Sequence, residues 1–330
     1  MKAVLCKEYG PPEKLVYEDT TRPDVGPTDV RIRVRAAGVN FADLMARRGL
    51  YPDAPKLPFV PGYEVAGEID AGPPHRIGQR VLALTRFGGY SDVVVVPAKR
   101  AIEIPPRMSF AEAAAIPVNW ITAWHMLIEL CNLKRGQRVL VHAAAGGVGT
   151  AAVQICRRVG AEVIGTASAS KHARLRELGL THAIDYRKQD FEEEVKRITG
   201  GRGVHVVLDA VGGASIKKGW RCLAPTGKLV VFGASSVMQG PVGMISSVLQ
   251  MTPFWPLKVM QENKALIGVN IGRLWQEEDL LTAELRAILQ GVAEGAFRPI
   301  VDAEVPLAEA PRAHRRLEQR ENFGKVVLVP

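Results

Sequence analysis

A chain of 330 residues, 47% of them hydrophobic and 23% charged, has the composition of a soluble globular protein and length enough for two domains, each with its own core. Its net charge of +9 is scattered, or gathered on surface-like helical segments such as 171–177 (KHARLRE) and 312–316 (RAHRR). No basic tail or aromatic–basic motif accompanies it, which argues against a nucleic-acid partner.

The opening residues, MKAVLC, begin as a strand and lack the long apolar core of a secretory signal. To about Pro106 the chain reads as short strands separated by turns: 2–5, 29–35, 63–69, 80–84 and 91–96. The segment 29–35 (DVRIRVR) alternates charged and apolar residues with period two, as a half-buried strand does. Proline and glycine punctuate this part at 10–12 and 58–62, which predicts a β-rich, barrel-like domain with many loops. Ser109 followed by Glu112 is a capping box opening a helix, and 120–130 continues the helical character. Strands at 138–142, 162–166, 183–186, 204–209, 228–232 and 265–269 then alternate with helical stretches, the pattern of a parallel doubly wound sheet.

Residues 229–257 carry no charge and are numerous enough to span a bilayer. Gly233, Gly240, Pro241, Gly243, Pro253 and Pro256 break the run, so a buried strand followed by a mobile apolar loop or subunit interface is expected instead of a lipid-spanning helix. The last segment, 324–330 (GKVVLVP), is a strand that returns to the first domain. The cofactor domain is then an insertion, with residues 1–118 and 272–330 forming one domain and 119–271 the other. The four cysteines, Cys6, Cys131, Cys156 and Cys222, are far apart and have no metal-ligand spacing. Buried thiols in a reducing cytoplasm are expected, with no disulfides and no metal.

The most informative stretch is 139–149 (VLVHAAAGGVG), an apolar strand running into a glycine-rich turn and then a helix at 150–158. Glycines let the backbone approach a pyrophosphate, and the helix start offers unpaired N–H groups and a positive dipole end. Ala144 stands where the first glycine of G-x-G-x-x-G would be, while Gly146 and Gly149 fill the other places. A purely structural turn is the alternative; the flanking strand and helix favour the dinucleotide reading. Roughly 20 residues further on, where a carboxylate would hold a ribose 2′-hydroxyl, the chain has GTASASK at 165–171. Small hydroxylic residues and Lys171 suit a 2′-phosphate, so NADP(H) is favoured over NAD(H). The lesser alternative for Lys171 is a solvated lysine at a helix start.

Several ordered motifs, AGVNFADL at 37–44 with GLY at 49–51, PGYEVAG at 61–67, IPVNWITA at 116–123, AAAGGVG at 143–149 and ENFGKVV at 321–327, resemble the zinc-independent medium-chain dehydrogenase/reductase superfamily in its quinone oxidoreductase branch. The NFADL and GLY portions look closest to the vesicle amine transport protein-like members. The resemblance implies an α/β protein: a doubly wound parallel Rossmann sheet that binds NADPH at 119–271, plus a β-rich GroES-like barrel domain for the substrate, with the ligand in the cleft. It places Asn40 beside the nicotinamide and Tyr51 at the border of the substrate cleft, both as catalytic candidates. Thr122 contacts the cofactor; Ala145, Gly146, Gly147, Val148 and Gly149 form the pyrophosphate turn; Ser168, Lys171 and Tyr186 surround the 2′-phosphate. Phe232 lies over the nicotinamide ribose, and Asn322 reaches the cofactor from the C-terminal segment.

Two departures matter. Zinc-dependent relatives bind their metal through a Gly-His-Glu motif and an early cysteine, whereas this chain has Tyr63 in the histidine's place and no cysteine among Gly38, Val39 and Asn40. Met45 stands where some quinone reductases carry a tyrosine. Without a metal to acidify an alcohol, reduction is the expected direction: hydride from NADPH to a quinone or an α,β-unsaturated carbonyl, with Asn40 and Tyr51 stabilising the developing oxyanion. An enoyl reductase acting on aliphatic chains is one alternative. Another is an NADPH-binding, lipid- or membrane-associated protein with little catalysis, which the vesicle-protein resemblance, the positive charge and the charge-free segment allow. The family also leads one to expect a homodimer through the sheet edge near 265–269.

Overall fold

The two hydrophobic periodicities of the sequence become two different sheets. The structure, a computed structural model, describes residues 1–238 and 256–330; most of the charge-free 229–257 segment, with the apolar loop or interface expected there, lies outside the described residues. The chain divides into two compact units, one made of Met1–Ile121 with Ile271–Pro330 and the other of Thr122–Asn270. The first unit contains strands β1 (Lys2–Cys6), β2 (Leu15–Asp19), β3 (Asp29–Gly38), β4 (Glu64–Ala71), β5 (Arg80–Leu84), β6 (Val93–Pro97) and β7 (Ala101–Glu103). The second contains β8 (Arg138–Val141), β9 (Glu162–Ala167), β10 (His182–Asp185), β11 (Val204–Asp209), β12 (Leu223–Val231) and β13 (Ala265–Gly268); β14 (Val301–Pro306) and β15 (Lys325–Val329) return to the first.

In the first unit a seven-stranded sheet runs β14-β15-β3-β4-β5-β7, with β6 also paired to β3. Strand β3 is its spine. It pairs antiparallel with β4 along most of its length, with β6 near its start and with β15 at its end. Its alternation is realised as expected: Val30, Ile32 and Val34 are buried, while Arg31 and Arg35 face outward and pair across the ladder with Asp70 at 2.7 Å and Glu68 at 2.8 Å. The C-terminal strand therefore does return to the first unit, as β15.

The second unit is a six-stranded, all-parallel sheet in the order β10-β9-β8-β11-β12-β13. Numbered within the sheet this is 3-2-1-4-5-6, the doubly wound order, whose switch point lies between β8 and β11. Strands covered on both faces read as unbroken apolar runs. Leu140, Ile164, Val207 and Leu229 accordingly form a core with Ile184, Val195, Trp220 and Leu223, each large aliphatic side chain contributing about 1.5–3 kcal/mol by leaving water.

The differences from the sequence reading lie in short or irregular elements. Strand β12 begins at Leu223 instead of Lys228, bending through Thr226 at φ 65°. The helix expected over 120–130 starts earlier, at Pro117 where proline's fixed φ suits a first turn, forming α3 (Pro117–Trp124), and ends in a π-helical segment, His125–Leu130. The capping box is present: Ser109 accepts from the Glu112 N–H at 3.2 Å while Glu112 accepts from the Ser109 N–H at 3.0 Å.

Candidate functional site

In the second unit the candidate residues gather at the carboxyl edge of the parallel sheet. Strand β8 ends at Val141, and the chain turns through His142–Gly146 into helix α4 (Gly147–Val159). Ala143, at φ 51°, takes the left-handed residue of the turn. Ala144 is therefore tolerated in the first glycine's place: it is fully buried, and its N–H donates to the Thr166 carbonyl at 3.1 Å. Gly149 has no such latitude, because a Cβ there would lie 2.6 Å from the Ala144 Cα and press on the Ala143 carbonyl oxygen. Helix α4 is capped by Gly146 with no side-chain hydrogen bond, which leaves its first-turn N–H groups and its dipole facing outward, as an anion site requires. Ala145 is buried, while Gly146, Gly147 and Val148 are partly exposed.

The remaining nucleotide candidates leave the same sheet edge. Ala167 and Asp185 are paired across β9 and β10, so Ser168 and Tyr186, the residues that follow them, emerge side by side. Tyr186 is 40% exposed, and Lys171 caps the short helix α5 (His172–Leu178). No carboxylate stands between Ala167 and Lys171. Phe232 directly follows β12, its N–H donating to the Asp209 carbonyl at 3.0 Å. Thr122 is buried in α3.

Beside this edge His142 is buried, its Nδ1 3.2 Å from the Thr166 hydroxyl and its ring edge-on to Phe191. Burial holds its imidazole below the ordinary range, opposed by the charge of Asp209.

The first unit holds Asn40, Tyr51 and Asn322. Asn40 caps α1 (Phe41–Arg47), with Asp43 completing the box by accepting from the Asn40 N–H at 2.8 Å. The side chain of Asn40 is buried and engaged at both ends: its amide N–H donates to Glu64 Oε1 at 2.7 Å, and its carbonyl accepts from Lys325 Nζ at 2.6 Å. Glu64 also pairs directly with Lys325 and accepts from the Val118 N–H at 2.7 Å. Both oxygens of that carboxylate are thus committed within the protein. The amide of Asn40 is likewise spent on its neighbours, which makes it a positioning group more than a ready donor. Asn322, in the turn before β15, donates to the Gly324 carbonyl at 2.8 Å.

Sequence reasoning missed the polar network beneath this cluster. Asp43 Oδ1 accepts from the Gly62 N–H at 3.0 Å, and its other oxygen accepts from the Tyr90 hydroxyl at 3.0 Å. That hydroxyl lies 3.1 Å from His314 Nε2, whose other ring nitrogen faces Arg47. Arg47 in turn pairs with Glu318. Asp43, Arg47, Tyr90 and His314 are all fully buried. Only two local signals hinted at it: the N-x-x-D spacing of Asn40 and Asp43, and a lysine opening the otherwise apolar strand KVVLV.

These buried groups set a pH dependence. Burial pushes the His314 imidazole well below its ordinary range, helped by the Arg47 charge. The folded state therefore keeps it neutral while the unfolded chain takes up a proton below about pH 6.5, and stability falls as the pH drops. Asp43 works in the opposite sense, because burial pushes its carboxyl up to about 6; the folded state then protonates first and gains stability as the pH falls toward the ordinary carboxylate value. Thermal or urea unfolding between pH 7 and 5 should fall less steeply for His314→Phe than for the parent, by up to about 1.4 kcal/mol per pH unit below 6.5. Parallel curves would mean that folded His314 protonates freely.

Four aromatic rings line the loop just before β4. Tyr51 meets Tyr63 edge-on at 5.9 Å, Tyr63 meets Phe87 at 4.8 Å, and Phe87 meets Phe59 at 5.6 Å. The cysteines take no part: all four are buried, and burial pushes the Cys6 and Cys131 thiols up to about 11 and Cys222 to about 12. Among the described residues no group of three or more His, Cys, Asp or Glu could hold a metal ion, and no helix is long and apolar enough to cross a membrane.

Two known families match the chain, an alcohol dehydrogenase GroES-like domain over residues 26–106 and a zinc-binding dehydrogenase over residues 178–328. The synaptic vesicle membrane protein VAT-1 homolog of Homo sapiens is 40% identical over 328 residues, covering 96% of this chain and 83% of that protein. Among solved structures, an Escherichia coli quinone oxidoreductase complexed with NADPH superposes with a TM-score of 0.89 at 30% identity over the whole of both chains. The CurK enoyl reductase gives 0.86 at 30% identity, over 99% of this chain and 98% of its own. With a GroES-like domain, a Rossmann-type parallel sheet and relatives alike over nearly its full length, the chain belongs to the medium-chain dehydrogenase/reductase superfamily, in the quinone oxidoreductase branch that includes the VAT-1 homologues.

Proposed function

We propose that the protein is an NADPH-dependent reductase that delivers hydride to a quinone or an α,β-unsaturated carbonyl without zinc. The observation that carries this reading is the start of α4, capped by Gly146 with no side-chain hydrogen bond, behind a turn with no room for a side chain at Gly149, next to a β9 end bearing Ser168 and Lys171 and no carboxylate. Those residues suit a dinucleotide with a 2′-phosphate. The likeness to an NADPH complex of a quinone oxidoreductase agrees with it.

When bound, NADPH supplies the hydride from its nicotinamide ring; everything else is the work of this chain. The N–H groups of Gly147, Val148 and Gly149 would hold the pyrophosphate, while Gly146, whose own N–H donates to the Ala143 carbonyl at 2.9 Å, and the buried Ala145 shape the turn. Ser168, Lys171 and Tyr186 would hold the 2′-phosphate end, and Thr122 and Phe232 would contact the rest of the cofactor. Tyr51 donates to the oxygen on which charge develops, and Asn40, fixed by Glu64 and Lys325, holds the α1 loop that carries the site. The final proton comes from solvent. The donor set around residue 63 does not fit a catalytic zinc: Tyr63 replaces the histidine of the Gly-His-Glu motif, and Glu64 is already held by Asn40, Lys325 and the Val118 N–H. In solution a homodimer is expected through β13, which pairs only with β12 among the described strands and exposes Leu266 at 40%.

Steady-state NADPH oxidation across a series of 1,4-quinones and 2-alkenals tests the reading and separates quinone from enoyl reduction. Lys171→Ala should raise the KM for NADPH about tenfold, the size of a lost charge-assisted bond, and leave NADH kinetics nearly unchanged. Tight NADPH binding with no turnover on any acceptor would make the protein a nucleotide-responsive binder.

A further inference from the structure

Thr166 has no place among the cofactor contacts assigned above, yet three successive residues of the pyrophosphate turn meet it. The last register pair of β8 with β9 is Val141 with Gly165, so Thr166 stands one step further, beside the point where the chain leaves β8 for the turn. Its hydroxyl accepts from the Ala143 N–H at 3.3 Å and lies 3.2 Å from His142 Nδ1, while its carbonyl accepts from the Ala144 N–H at 3.1 Å. Thr166, His142 and Ala144 are buried, a setting in which a backbone N–H deprived of its acceptor is destabilising.

Ala143 is the residue that needs holding. Its φ of 51° lies in the left-handed region, which a residue with a Cβ adopts only where its surroundings over-determine it. Here both ends of the residue are fixed: its N–H by the Thr166 hydroxyl, and its carbonyl by the Gly146 N–H at 2.9 Å. That carbonyl oxygen is also the atom on which a side chain at Gly149 would press, so its direction decides where the first turn of α4 can sit. A rotation at Ala143 would swing Gly146, and with it the N–H groups of Gly147, Val148 and Gly149, away from the end of β8.

A valine would fill the same space in β9, being branched at Cβ and as well suited to a strand. What the hydroxyl adds is the acceptor for Ala143. We propose that Thr166 is the positioning residue of the pyrophosphate turn: its hydroxyl keeps Ala143 left-handed and so sets the direction in which the first N–H groups of α4 point at a bound diphosphate. The action is indirect, through the backbone of Ala143 and α4, and it rests on reading this turn as the dinucleotide site. The group recognised is the diphosphate bridge, which NADPH and NADH share, whereas Lys171 is assigned to the 2′-phosphate that only NADPH carries. The two residues should therefore differ in what their loss does: Lys171 acts on one dinucleotide and Thr166 on both alike.

Thr166→Val and Thr166→Ser separate the hydroxyl from the methyl group. Each variant is titrated with NADPH and with NADH by fluorescence, and amide hydrogen exchange across 143–149 is followed in the ligand-free protein. Thr166→Val should weaken both dinucleotides by the same factor, about five- to tenfold for one neutral buried hydrogen bond, and should speed exchange across the turn. In steady state its loss should fall on the KM for the dinucleotide far more than on kcat. Thr166→Ser should bind both within about twofold of the parent, even though the missing buried methyl lowers its melting temperature. Undiminished binding by Thr166→Val, equal losses in the two variants, or a loss confined to NADPH, which would trace the effect to the nearby Ser168, would overturn the proposal. Should Thr166→Val fail to fold, Thr166→Ala against Thr166→Ser makes the same comparison, since the two differ only in the hydroxyl. If the parent binds neither dinucleotide while loss of the hydroxyl still loosens the turn, the reductase reading fails and the assignment of Thr166 as the residue that fixes Ala143 stands.

Discussion

Lys325→Met is expected to destabilise the first unit by about 3–5 kcal/mol, the cost of leaving a buried charge without its partner. The Lys325 side chain is 2% exposed and that of Glu64 is fully buried. Methionine has nearly the length of lysine, so the change empties no large volume and isolates the charge. There is little slack for water to enter: a side chain on Gly38 would come within 2.6 Å of Lys325 Cε and 2.7 Å of the Ala114 carbonyl oxygen. The partner loss is specific, so the double variant Lys325→Met with Glu64→Gln should recover most of the stability, because a neutral amide can still accept from the Val118 N–H. Urea unfolding of the four proteins of this cycle gives the coupling directly. A single variant within about 1 kcal/mol of the parent would mean that the pair is solvated in solution. A double variant no better than the single would mean that shape, not charge, was lost.

The same triad marks the limit of what the sequence could reveal. The parallel sheet was legible because strands covered on both faces must be apolar throughout, as VLV at 139–141 and VVL at 206–208 are; β3 was legible because its outward arginines alternate with its core. Strands β2, β7 and β14 were not, since β7 spans three residues and β2 and β14 each bury a single one, Leu15 and Val305, so the neighbouring strand supplies what the residues themselves do not announce. The glycine turn was readable because steric exclusion is a local matter. The network of Asp43, Glu64, His314 and Lys325 was not, because its members are residue types that normally sit in water and because Asn40 and Lys325 meet across 285 positions of sequence. Asn40 illustrates the difference: its motif marks it as important, while the pairing that occupies both ends of its amide appears only when the chain is folded.

The sterics of the glycine turn yield the sharpest contrast available in the second unit. Gly149→Ala is expected to weaken NADPH binding more than a hundredfold and to lower the melting temperature markedly, whereas Gly146→Ala should weaken binding less than tenfold. Backbone strain cannot be the cause at either position, since neither residue is among the glycines of positive φ. The difference is one of contact. In a helix each Cβ tilts toward the N-terminus, and at Gly149 that direction is filled by the Ala143 carbonyl and by Ala144 Cα and C, both at 2.6 Å. These are backbone atoms of the turn, and Ala144 is itself pinned by its bond to Thr166. Helix α4 can accept a methyl group there only by moving away from the turn, which separates the first-turn N–H groups from the strand end that aims them. At Gly146 a Cβ would lie 3.3 Å from the Ala143 oxygen, tight but within reach of a small adjustment. Fluorescence titration with NADPH alongside thermal melts of both variants decides the matter. Equal losses at the two positions would show that flexibility of the loop, and not the close approach of helix to turn, is what the glycines provide.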